Sequence, residues 1–154
     1  MNRLELRYQP ENEFSGELLA NVQSGKFSGI GSAWLSTEDL RSFVKQSLAF
    51  PLDANALPEI FGGHLVGERQ ILEKHLAIKI EPCGSRGALR VSIELAVPIY
   101  YSHPLWKTEN DTLGHSLMTR FLVTYNDLDA FARDFLEVID GTKDTATLSA
   151  TFHE

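Results

Sequence analysis

Along "FSGELLANVQ" the apolar side chains fall at alternate positions, with Phe14, Leu18, Ala20 and Val22 on one side and Ser15, Glu17, Asn21 and Gln23 on the other. A period of two is the pattern of a half-buried strand. "SGK" then offers a turn into "KFSGIGSAWL", so the pair predicts a hairpin, in which Gly16, Gly29 and Gly31 mark a bulge or a close backbone approach. Upstream, "RLELRYQ" predicts an edge strand. In "HLAIKIEP" Leu76, Ile78 and Ile80 point one way, leaving His75, Ala77, Lys79 and Glu81 on the other face. After the turn "PCGSRG", the run "ALRVSIELAV" aligns Leu89, Val91, Ile93, Leu95 and Val97, which predicts a second hairpin. "SLMTRFLVT" and "ATLSATF" read as two further strands. Residues 51–72, with Pro58, Gly62, Gly63 and Gly67, read as an irregular crossing with at most a short strand, Gly62 and Gly63 serving a tight turn.

Between these strands the period changes. In "STEDLRSFVKQSLAF", Ser36 takes the N-cap position with Asp39 three residues on, and Leu40, Phe43, Val44, Ser47 and Leu48 share one helical face until Pro51. Thr124 and Asp127 repeat the cap, and Leu128, Phe131, Ala132, Phe135, Leu136 and Ile139 form the second stripe, which stops near Gly141. The two helices align at an offset of 88 as [ST]-x-x-D-L-x-x-F-x-x-x-x-L. The expected fold is therefore α+β, a single antiparallel sheet carrying two amphipathic helices, built from two strand-then-helix units in one domain over residues 1–154.

At 154 residues, 43% hydrophobic and 23% charged, the chain can bury one sizeable core. No apolar run approaches membrane-spanning length and "MNRLELRYQP" has no signal core, which together imply a cytoplasmic, unanchored protein. Cys83 is alone, so no intramolecular disulfide forms. The net charge of −7 argues against direct nucleic-acid binding, which draws on clustered Lys and Arg. Residues 109–154 hold nine acids against three bases, whereas residues 1–108 hold twelve against eleven. That asymmetry suits a basic partner.

The candidate chemistry is sparse. "FGGHLVGERQILEKHLAIKI" collects His64, Glu68, Glu73 and His75, yet eleven positions separate the histidines, whereas a zinc pair on a helix sits about one turn apart. Glu68, Arg69, Glu73 and Lys74 read as a solvated mixed-charge surface, and no metal is expected. "GGHLVG" lacks the Lys-[ST] of a phosphate loop, no Ser sits in G-x-S-x-G, and no cofactor motif is present. Two features suit partner binding better. Asp129, Asp134, Glu137 and Asp140 project opposite the apolar stripe of the second helix. Tyr100, Tyr101 and Trp106 crowd the loop "IYYSHPLW", and such side chains are frequent interface anchors.

"KFSGIGSAWLSTEDLRSF", "HLAIKIEP", "LRVSIELA" and "FLVTYNDLDAFARDFLEVI" resemble the WapI-type immunity proteins, over about residues 4–140. These are bacterial antitoxins paired with contact-delivered polymorphic toxins. The resemblance implies a cytoplasmic, non-enzymatic protein that binds and blocks a cognate basic toxin domain, often a nuclease. The rival readings are a metal-dependent enzyme using His64, His75, His103 or His115, and a self-associating protein with "IYYSHPLW" as its contact.

Overall fold

The computed structural model describes residues 1–66, 71–98 and 113–150. The chain runs β1 (Asn2–Pro10), β2 (Ser15–Ser24), β3 (Phe27–Ser36), α1 (Thr37–Ser47), β4 (Glu59–Val66), β5 (Ile71–Cys83), β6 (Ala88–Pro98), β7 (Leu113–Val123), α2 (Tyr125–Asp140) and β8 (Ala146–Ser149). The class is α+β, but the strands form two antiparallel sheets instead of the single one expected. Sheet A has the order β3-β2-β1-β8 and sheet B the order β4-β5-β6-β7. Each is an up-and-down meander that ends in a helix, and β8 then returns to pair with β1.

Period-two alternation fixes which side of a strand is apolar but not which strands share a sheet, and here two apolar faces bury one another. Leu4, Leu6, Leu18, Ala20 and Val22 from sheet A share one core with Ile78, Ile80, Leu89, Val91 and Ile93 from sheet B. Three glycines let the layers approach. A Cβ at Gly29 would come within 2.9 Å of Leu117 Cδ2, one at Gly31 within 3.1 Å of Leu95 Cδ2, and one at Gly62 within 3.0 Å of the Ala33 Cβ. At the far end Thr119 on β7 donates to Ser24 on β2 at 2.6 Å, joining the sheets by a hydrogen bond.

The helices close the core with the residues their periodicity selects. Leu40, Phe43, Val44 and Ser47 of α1 are buried, as are Leu128, Phe131, Ala132, Phe135 and Ile139 of α2, together with Val138. Phe135 stacks on Phe131 with centroids 5.9 Å apart and meets Phe43 edge-on at 6.1 Å. Both N-caps are made. Ser36 accepts from the Asp39 amide at 3.1 Å, and Thr124 and Asp127 form a complete reciprocal box. Gly141 ends α2 in the left-handed conformation at φ 84°.

Other expectations are corrected. β1 is an interior strand, because β8 covers the side the sequence leaves open. Phe14 belongs to no inner face and is 71% exposed just ahead of β2. The crossing segment contains an eight-residue strand, β4, and Gly62 and Gly63 lie inside it, not in a tight turn. No helix among the described residues is long and apolar enough to cross a membrane.

Candidate functional site

Where β4 meets β5 the ladder slips. Gly62 pairs with Leu76 but Gly63 pairs with Lys74, which leaves His75 as an extra residue on β5. Such a bulge interrupts the alternation. Leu76 and His75 are therefore both buried although adjacent, whereas the Lys74 ammonium lies over the outward Phe61 ring, 4.8 Å from its centroid. His75 Nε2 and Glu73 Oε1 are 2.8 Å apart, with side chains only 6% and 8% exposed. Gly63 is obligatory here, since a Cβ would overlap the Glu73 carbonyl oxygen.

This geometry overturns two sequence expectations. His75 does not share the solvated face of Ala77, Lys79 and Glu81, and Glu73 is no surface charge. His64 lies in β4, its backbone opposite Glu73, so it and His75 sit on neighbouring strands. His115 is exposed on β7, opposite Val97. Glu68 and His103 lie outside the described residues. No three His, Cys, Asp or Glu residues converge as a metal site among the described residues. Cys83 is a free thiol at the end of β5.

His75, but not Glu73, borders a cleft of about 350 Å³ between the edge of sheet A and the end of sheet B, lined also by Leu19, Ile30, Trp34, Ala96 and Val97 among others. Its lining is mixed, with Ile30 68% and Trp34 48% exposed beside Glu17 and Ser32. That lining can hold a side chain with an apolar body between Ile30, Trp34 and Val97 and a polar end toward Glu17 or His75.

The four α2 carboxylates named from sequence do face solvent. Each is also ion-paired. Asp129 binds Arg133 at 2.9 Å, Asp134 and Glu137 share Lys143 at 2.6 and 3.3 Å, and Asp140 binds Arg41 of α1 at 2.6 Å. The bond from Asp129 raises the Arg133 pKa, and those from Asp134 and then Glu137 raise that of Lys143. Tyr100, Tyr101 and Trp106 lie outside the described residues.

Unpaired charge is concentrated elsewhere. Glu11, Glu13, Glu17, Glu38 and Asp39 make no ion pair with any described residue, and all five sit at one end of sheet A, where the β1–β2 turn meets the start of α1. Sequence reasoning passed over "PENEFSGE", although its acids flank a Phe beside a turn. The sequence matches no family model, and no curated protein or solved structure shows significant similarity to it.

Proposed function

We propose that this chain is a non-enzymatic immunity protein of the cytoplasm that binds and neutralises a basic toxin domain, in keeping with its resemblance to the WapI-type proteins. The observation that carries the reading is a net charge of −7 on a surface that also exposes large apolar side chains, Phe14, Ile30, Trp34, Phe61 and Met118 among them. Aromatic anchors within a charged surround are the composition of a protein interface. An acidic surface complements a nuclease that grips phosphate through Lys and Arg, and attraction between the two speeds their encounter. Inhibition of this kind needs surface complementarity and no catalytic group.

The test is co-expression with the C-terminal domain encoded by the adjacent reading frame. Restored growth and co-purification of the two chains are expected. A toxin domain that still kills in the presence of folded, abundant protein would overturn the reading.

A further inference from the structure

Two exposed aromatic residues stand at the end of sheet A where the unpaired carboxylates collect. Trp34 is directly opposite Glu17 in the β2–β3 ladder, and Ser15 opposite Ser36. The Phe14 carbonyl accepts from the Thr37 amide at 2.8 Å, which ties the β1–β2 turn to the first turn of α1. Three residues of strand separate Phe14 from Glu17, so the backbone carries Phe14 and Trp34 about 10 Å apart. Phe14 borders a groove of about 530 Å³ that continues along Ser36, Thr37 and Arg41, and Trp34 borders the neighbouring cleft with Ile30 and Val97. Each aromatic side chain thus borders its own open space, with Ser15, Glu17 and Ser36 between them.

Charge identifies what covers them. At the same end of sheet A stand Glu11, Glu13, Glu17, Glu38 and Asp39, and the one cation of the Phe14 groove not already held by a carboxylate is Lys45. Along α2, by contrast, four carboxylates face Arg133, Lys143 and Arg41 at contact distance. Opposite charges that close largely cancel beyond about one screening length, roughly 10 Å at 0.1 M salt. Among the described residues, the far field that a cationic partner meets is therefore stronger at the end of sheet A than along α2.

We infer that the docking surface is this end of sheet A, with Phe14 and Trp34 as anchors, and that its occupant is the cationic face of a protein. The inference rests on the immunity reading and specifies where the toxin domain binds. Glu11 and Glu13 supply steering, and Trp34 supplies the slowly released contact.

The probe is the toxin domain of the adjacent frame, with association and dissociation followed at low and high salt. Glu11→Lys with Glu13→Lys is compared with Asp134→Lys with Glu137→Lys. Both double variants change the net charge equally, so a response to global charge alone moves them together. The strand-end pair is expected to slow association about tenfold or more at low salt and flatten its salt dependence, while the α2 pair stays within about threefold of the parent. Trp34→Ala is expected to raise the dissociation rate about tenfold or more. Thermal melts establish that each variant is folded. Equal slowing by the two double variants, or slowing by the α2 pair alone, overturns the location while leaving the immunity reading intact. Failure of the parent protein to bind the domain at all overturns that reading, and the location with it.

Discussion

At Gly63 a single hydrogen side chain decides the course of two strands. The Glu73 carbonyl occupies the space a Cβ would need, so Gly63→Ala must push β4 off β5 or undo the bulge. Loss of several kcal/mol, enough to lower the melting temperature by ten degrees or more, is expected on the scale of about 1 kcal/mol for a few degrees. An unchanged melt would mean that the bulge is not formed. His75 gives the complementary prediction. His75→Ala removes a hydrogen-bond partner of Glu73, whose side chain is only 8% exposed, and losing a buried hydrogen bond costs about 1–3 kcal/mol. A urea midpoint within error of the parent would show that the His75–Glu73 contact adds nothing to stability. None of this was legible in "EKHLAIKI", because one extra residue reverses the faces of a strand without altering the composition around it. The nearest sequence sign is the Gly-Gly pair on the partner strand.

Elements were easier to read than their arrangement. A helix declares its buried stripe and its cap within a dozen residues, which is why Leu40 and Phe43, or Leu128 and Phe135, could be assigned to the core beforehand. Thr124→Ala should accordingly cost about 1 kcal/mol, since it leaves the Asp127 amide without its acceptor. A change below about 0.3 kcal/mol in the unfolding free energy would mean that water replaces the cap. Between strands β5 and β6, Arg90 lies opposite Glu81 and donates to its carboxylate through Nε and Nη2. That hydrogen bond holds the Glu81 pKa below its ordinary value of 4.5, against the opposing effect of partial burial. The folded protein therefore binds fewer protons here than the unfolded chain, and the pair's contribution is full above pH 4.5 and lost as pH falls through the depressed folded value. Arg90→Gln should lower the urea midpoint at pH 7, and the difference from the parent should shrink below pH 4.5. A difference that stayed constant down to pH 2 would assign the effect to packing of the arginine stem.

For the whole molecule, the number of sheets depends on contacts between residues far apart in sequence, which no local period records. Gly29 and Gly31 hinted at close approach, but their partners, Leu117 and Leu95, lie more than sixty residues away. The candidate surface was half legible for the same reason. Counting acids and bases located the surplus in the last third of the chain, but not that Arg41 is brought from α1 to Asp140 or that Lys143 folds back on Asp134 and Glu137. Both sheets and both helices also contribute to one continuous core, in which Phe135 is fully buried between Phe43 and Phe131. Neither meander has a hydrophobic centre of its own, so the two should unfold together. Phe135→Ala tests this. It should cost about 3–5 kcal/mol, and the most protected amides of β2 in sheet A and β6 in sheet B should lose that same amount in native-state hydrogen exchange. If protection fell in one sheet and held in the other, the sheets would be separate cooperative units, and the shared core would be a contact between two independently stable halves.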